Sequence, residues 1–219
     1  MPVAGRSRAH VAAVVCLLVG TGGLVGCGGG GSSSARPDPQ VSSSSADPDP
    51  PVLTNGKVDE QITAGTYRAP AGFEPGLLLE IPAGWTSVHR YPDAFDLGRP
   101  DPDRDAPLLA VVFLRPPERS ADAALAGVRR RATGQVVPVR GDLAGSQARG
   151  LDVIGGGGPL VVSADNGIAL DAAPGQRARL LATEVAGQPL VVVVLVPDGR
   201  RWDELWPLAE SLLTGVTAS

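Results

Sequence analysis

The sequence predicts an α+β domain in which a mainly antiparallel sheet carries a helix on each face, forming an α/β/α sandwich. Two observations predict this class. Several apolar, valine-rich runs are bounded by glycine and proline, which is typical of strands. Two other segments repeat their apolar residues every three or four positions, which is typical of helices lying on an apolar surface. A layered arrangement lets the sheet and both helices bury these apolar sides against one another.

The predicted strands are distributed along the chain from residue 77 onward. The last of them is apolar on both faces, so we expect it at the centre of the sheet, covered on both sides. Only Ala186-Gly187-Gln188 separates it from the preceding strand, and this connection is short enough for a hairpin. The strands are predicted over residues 77–81, 108–114, 146–154, 177–185 and 189–196.

Two helices are predicted between and after these strands. The first spans residues 121–131, with Ser120 placed to cap its N-terminus. The second spans residues 201–213, and its apolar stripe continues to Val216. Pro207 lies inside the second helix and removes one backbone hydrogen bond, so we expect a kink near Asp203.

The second helix carries two tryptophans, Trp202 and Trp206. They are four residues apart, so their rings should lie on one side of the helix and face the same part of the sheet. Tryptophan on an apolar helical stripe is usually part of a core, and we expect both residues to contribute mainly to stability. The alternative is that Trp202 and Trp206 line a ligand cleft or a surface for a partner.

The N-terminus has the layout of a secretory signal peptide over residues 1–26. Arg6 and Arg8 precede an apolar stretch that contains three glycines and is shorter than the roughly 20 residues a membrane-spanning helix needs. The stretch ends in Leu24-Val25-Gly26-Cys27, which resembles the lipobox of bacterial lipoproteins. The resemblance implies cleavage before Cys27 and attachment of a diacylglyceryl group to the sulfur of Cys27.

Lipidation of Cys27 would decide where the protein resides. Each buried methylene contributes about 0.8 kcal/mol, so two or three acyl chains such as palmitate would hold a protein on a bilayer almost permanently. We therefore expect a lipid-anchored protein on the extracytoplasmic face of the cell membrane. The membrane is then its first predicted partner, through Cys27.

Cleavage also changes the charge and the thiol content of the chain. Arg6 and Arg8 are lost, so 17 basic residues face 23 acidic ones and the net charge falls from −4 to −6. A chain of this charge is not expected to bind nucleic acid. Cys16 leaves with the signal peptide and Cys27 becomes a thioether, so neither a disulfide nor a cysteine-based redox or metal site is expected.

Composition divides the mature chain into a tether and a domain. Residues 28–51 are almost entirely glycine, serine, proline and aspartate, which cannot bury enough apolar surface to offset the entropy of ordering. We therefore predict a lipidated, disordered tether over residues 27–61 and one globular domain over residues 62–219.

The sequence offers no catalytic, cofactor-binding or metal-binding residues, and the protein is predicted not to be an enzyme. His89 is the only histidine after cleavage, and no serine occupies a G-x-S-x-G turn. Residues 101–105 imitate the start of a calcium loop, but Ala106 replaces the turn glycine and Val112 stands where a bidentate glutamate belongs. A carboxylate pair for glycoside hydrolysis needs no local motif and stays open.

A series of structural residues within about residues 62–216 is similar to a known family. The series begins with Gly65-Thr66-Tyr67 and continues through Phe73, Pro75 and Pro82-x-Gly84-Trp85 to residues 202–207. It resembles actinobacterial secreted lipoproteins with a PsbP-like domain, of the LpqN type. The resemblance implies the α/β/α sandwich and the lipoprotein context, and it supplies no catalytic residues.

Two hypotheses of function follow. In the first, the domain is a non-enzymatic interaction module that binds another protein of the cell envelope. In the second, a cleft between sheet and helix carries a lipid or another small apolar ligand. Aromatic residues make up only 4% of the chain, and ligand pockets usually draw on them, which favours the interaction module.

Overall fold

A seven-stranded antiparallel sheet forms the middle layer of the domain. The computed structural model describes residues 49–54, 60–91, 93–103, 107–156, 159–162 and 169–219. Within these residues the elements are, in chain order, β1 (Gly65–Arg68), β2 (Leu77–Ile81), β3 (Thr86–Tyr91), β4 (Ala94–Pro100), β5 (Pro107–Leu114), α1 (Ala121–Arg131), β6 (Gln135–Leu143), β7 (Ser146–Ile154), β8 (Pro159–Val162), β9 (Ala169–Asp171), β10 (Arg177–Val185), β11 (Gln188–Val196), α2 (Trp202–Thr214) and β12 (Val216–Ala218).

The strands of the large sheet lie in the order β3-β4-β5-β11-β10-β7-β6. The valine-rich strand β11 therefore occupies the centre, as its two apolar faces predicted. It pairs with β5 on one side and β10 on the other, both antiparallel. Strands β1, β2 and β12 form a second, three-stranded sheet, and β8 pairs with β9.

The helices cover opposite faces of the large sheet. Successive residues of β11 alternate between two cores: Val191 and Val193 pack with α1, whereas Val192 and Val194 pack with α2 and the three-stranded sheet. This alternation is what a central strand shows when both of its faces are buried. The predicted fold class, an α+β domain with a mainly antiparallel sheet flanked by helices, is confirmed.

The predicted hairpin between β10 and β11 is also present. Val185 pairs with Gln188, so the turn consists of two residues, Ala186 and Gly187. Both have positive φ angles, 49° and 76°, which match the twist that a two-residue turn needs between antiparallel strands.

The two helices lie close to their predicted bounds. The side chain of Ser120 caps α1 by accepting a hydrogen bond from the backbone N–H of Ala123 (3.2 Å). Helix α2 continues through Pro207 to Thr214. Val216 was expected on the helical stripe but begins strand β12, where it is fully buried. The error arose because a buried strand residue directly after a helix fits the same spacing of apolar residues.

The predicted tether over residues 27–61 includes residues 51–53, which pack beside β1. The Leu53 N–H donates to the Arg68 carbonyl (2.9 Å), and the Arg68 N–H donates to the Pro51 carbonyl (2.8 Å). The Leu53 side chain is 5% exposed and belongs to the core. Asp49 forms an ion pair with Arg68 at 2.8 Å. The ordered domain therefore begins before residue 62, because a short Val-Leu pair is enough to add a segment beside β1.

Candidate functional site

The two tryptophans of α2 stack on each other. Their ring centroids are 5.5 Å apart and the rings are inclined by 17°. Trp202 is 3% exposed and lies in the core, whereas Trp206 is only partly buried and packs against the edge of that core. The expected stacking on one side of the helix is thus present, but the two rings differ in depth.

Two arginines of β10 cover these rings. Arg177 lies 4.4 Å from the centroid of the Trp202 ring, and Arg179 lies 4.1 Å from that of Trp206 and 5.4 Å from that of Trp202. Residues two apart on a strand point to the same face, so both guanidinium groups reach α2 from the sheet. Contacts of this kind contribute about 0.5–2 kcal/mol each, with the larger values where water is excluded.

A buried carboxylate holds the two arginines in place. Asp152 lies on β7 directly opposite Arg179. It accepts hydrogen bonds from Arg179 Nε (2.6 Å) and Nη2 (2.9 Å) and from Arg177 Nη2 (2.8 Å). Its side chain is 5% exposed. Burial alone would raise the pKa of Asp152. The hydrogen bonds and positive charges of Arg179 and Arg177 lower it by more than burial raises it, so its pKa lies below the ordinary aspartate value.

The carboxylate, the guanidinium groups and the indoles therefore form a layered cluster, which we call the Trp-Arg cluster (Asp152, Arg177, Arg179, Trp202 and Trp206). Each charge in it has an opposite charge beside it, and each guanidinium lies over an aromatic ring. Such an arrangement fixes α2 to β10 and β7. The Trp-Arg cluster is therefore a structural contact, and Trp202 at its centre is buried.

The buried side of α2 that faces the large sheet is filled as well. Leu205, Ala209 and Leu212 of α2 are between 0% and 3% exposed and pack in one core with the sheet. Close packing of this kind leaves few spaces larger than a water molecule. The alternative prediction, in which Trp202 and Trp206 line a ligand cleft, requires an opening where these side chains lie.

A groove that the sequence did not indicate lies on the opposite side of the sheet. It runs between α1 and the strands β6 and β7 and encloses about 390 Å³. Its apolar floor includes Leu125, which is buried, and Ala126 of α1. Arg129 of α1, Arg140 of β6 and Arg149 of β7 form its rim, and we call it the arginine groove.

An ion pair spans the arginine groove. Arg149 Nη1 donates to Asp122 Oδ1 (2.9 Å) and Oδ2 (2.8 Å). The two side chains are 71% and 66% exposed, so this pair is largely hydrated. A second cavity of about 210 Å³ shares Asp122 and Arg149 with the groove and continues toward Ser120. The ion pair therefore divides a longer depression that follows α1.

The sequence indicates only part of the Trp-Arg cluster and none of the arginine groove. The aspartate in Leu151-Asp152-Val153 interrupts an apolar strand, and Arg177-Ala178-Arg179 places two charges on one strand face. A buried aspartate of this kind needs partners, so it could have been flagged. The arginine groove combines residues from a helix and two strands, and no local pattern links them.

The predicted absence of metal and catalytic sites stays a prediction. Among the residues that the structure describes, no group of three His, Cys, Asp or Glu side chains could hold a metal ion. Within the same residues, no helix is both long enough and apolar enough to cross a bilayer. Cys27 and the predicted signal peptide over residues 1–26 lie outside the described residues, as does Asp105 of the calcium-like loop.

Comparisons with known proteins show similarity of the backbone fold to solved structures, at low sequence identity. It is similar to the PsbP protein (CyanoP) of the cyanobacterium Synechocystis, with 14% identity over 75% of this chain and 98% of that chain, and a TM-score of 0.42. It is also similar to a protein of Bacteroides thetaiotaomicron, with 11% identity over 65% of this chain and a TM-score of 0.39. The chain spans 45% of the length of that protein.

These likenesses concern the fold alone, and no activity, ligand or partner follows from them. No protein-family model matches the sequence. No curated protein matches it either.

Proposed function

We propose that this protein is a lipid-anchored lipoprotein of the cell envelope and that its domain is a non-enzymatic interaction module. The observation that carries the proposal is the filled space between the sheet and α2. Leu205, Ala209 and Leu212 occupy it together with Trp202, so a lipid or another apolar ligand would have to displace buried side chains.

The same proposal assigns the anchor to Cys27 and places the domain on the extracytoplasmic face. Its support is the lipobox-like Leu24-Val25-Gly26-Cys27 after an apolar stretch, together with the glycine- and serine-rich residues that follow. A relation to LpqN-type lipoproteins is part of this proposal and rests on the residue series from Gly65 to Pro207. The partner would be another protein of the envelope.

The anchor is tested by replacing Cys27 with alanine. We expect Cys27→Ala to abolish incorporation of an alkyne fatty acid, because in the lipobox resemblance its sulfur is the acceptor. Cys16→Ala is the matched control, since Cys16 lies in the predicted signal peptide and should leave labelling unchanged. Equal labelling of the Cys27→Ala variant and the native chain would end the lipoprotein assignment.

A further inference from the structure

The arginine groove has a charge opposite to that of the whole chain. Three guanidinium groups, those of Arg129, Arg140 and Arg149, line it together with one carboxylate, that of Asp122. The chain as a whole has a net charge of −4. A local concentration of positive charge on a negative protein attracts anionic groups to that site and directs their approach.

The floor of the groove adds a second requirement. Leu125, Ala126 and Pro138 line the same groove with apolar surface, and of these Leu125 is buried and Pro138 is exposed. An occupant that complements both parts has carboxylates for the rim and apolar groups for the floor. Resting on the proposal that the domain is an interaction module, we propose that the arginine groove binds a segment of a partner protein in which acidic and apolar residues are interspersed.

A protein segment fits the groove better than a small anion does. Arg149 and Asp122 are 71% and 66% exposed, and ion pairs in such surroundings contribute only about 0–1 kcal/mol. A small anion would leave the guanidinium groups hydrated. A segment that covers the groove excludes water from the charge pairs and buries the apolar floor, and both effects strengthen its binding.

The groove also fits a protein segment better than a bilayer surface. Leu125 in the groove is buried whereas Arg129 and Arg140 are exposed, so a flat layer of lipid headgroups would contact the arginines and leave Leu125 uncovered. The net negative charge of the chain would in addition repel an anionic bilayer.

Strand addition at the neighbouring sheet edge is disfavoured. β6 is the outermost strand on this side of the large sheet, and it contains Pro138. Proline has no backbone N–H and is characteristic of edge strands that do not accept a further strand. The side chains of the groove, and not the backbone of β6, therefore form the proposed contact surface.

Asp122 has a definite place in this proposal. It already occupies Arg149 with two hydrogen bonds, so it competes with any carboxylate of the partner. Removing the Asp122 charge should therefore strengthen binding, whereas removing the charge of Arg129 or Arg140 should weaken it. A surface that binds the peptide without using these charges would not show opposite effects of the aspartate and arginine substitutions on binding.

The test uses the mature chain without its lipid and a fluorescein-labelled octapeptide of alternating glutamate and leucine. Fluorescence anisotropy gives the dissociation constant. We expect Arg129→Gln and Arg140→Gln each to weaken binding about fivefold to tenfold, the loss of one charge-assisted contact. We expect Asp122→Asn to strengthen it about threefold. Arg130→Gln is the matched control, because Arg130 is exposed beside Arg129 but does not line the groove.

Several outcomes would overturn the proposal. They are no binding of the octapeptide, equal binding of the octapeptide with glutamine in place of glutamate, and equal effects of Arg130→Gln and Arg129→Gln. Tighter binding of laurate or of phosphatidylglycerol vesicles, lost in the same arginine variants, would instead assign the groove to a lipid. Fatty-acid labelling at Cys27 does not involve the groove. If the octapeptide does not bind but Cys27 is still labelled, only the assignment of the groove is contradicted and the lipoprotein assignment is not.

Discussion

Replacing Trp202 with alanine is expected to lower the free energy of unfolding by about 3–5 kcal/mol, a large part of the roughly 5–15 kcal/mol of a typical domain. The ring is 3% exposed, stacks on Trp206 and lies 4.4 Å below Arg177. Its removal would leave a cavity and take away the surface on which the guanidinium group lies. Urea denaturation of the native chain and the variant measures the difference.

Trp206→Ala is the comparison for this experiment. Trp206 is on the same helix and in the same stack but is only partly buried, so we expect a loss of roughly 1–2 kcal/mol. The order of the two effects depends on burial and not on residue type. A loss below about 1 kcal/mol for Trp202→Ala would contradict the structural role of Trp202 and favour the ligand cleft.

Replacing Asp152 with asparagine is expected to lower the free energy of unfolding by about 3 kcal/mol, the usual cost of breaking a buried ion pair. The variant keeps the shape of the side chain but removes its charge. The guanidinium groups of Arg177 and Arg179, 24% and 17% exposed at their side chains, would then lie partly buried without a counter-charge. Asp122→Asn is the matched control: its pair with Arg149 is largely exposed and should contribute less than about 1 kcal/mol.

The effect of Asp152→Asn should also depend on pH with a definite sign. The pKa of Asp152 is lowered in the folded chain, so its ionised form stabilises the fold at every pH above the ordinary aspartate pKa. This stabilisation is lost as the pH falls from that value through the lower pKa of the folded state. The difference between the native chain and the variant should therefore be constant near neutral pH and decrease in the acid range. An unchanged difference down to strongly acidic pH would exclude ionised Asp152 as the source.

Local apolar patterns were sufficient to predict the centre of the fold. β11 could be placed in the middle of the sheet because its valines are apolar on both faces, and α1 could be bounded because Ser120 supplies a cap. In the large sheet, the strands β3, β4 and β6 were missed, and the short strands β1, β8, β9 and β12 outside it were missed as well. β4 reads Ala-Phe-Asp-Leu-Gly-Arg-Pro, and β6 is an edge strand with most of its residues exposed or partly exposed, so neither shows a long apolar run.

The Trp-Arg cluster and the arginine groove needed the register of the strands. Asp152 meets Arg179 only because β7 and β10 pair with those residues opposite each other. Arg129, Arg140 and Arg149 come together only because α1 packs on the same face of the large sheet on which Arg140 and Arg149 lie. Long-range pairing of this kind is decided by the whole sheet, and the spacing of residues along the chain does not contain it.

The central claim is that the domain has a filled interior and binds through its surface. Native mass spectrometry of residues 28–219, purified from cells under mild conditions, tests this most directly. We expect the mass of the bare chain, because Leu205, Ala209, Leu212 and Trp202 already occupy the space between the sheet and α2. A larger mass under native conditions that returns to the bare mass on denaturation would reveal a retained ligand, and the protein would then be a carrier.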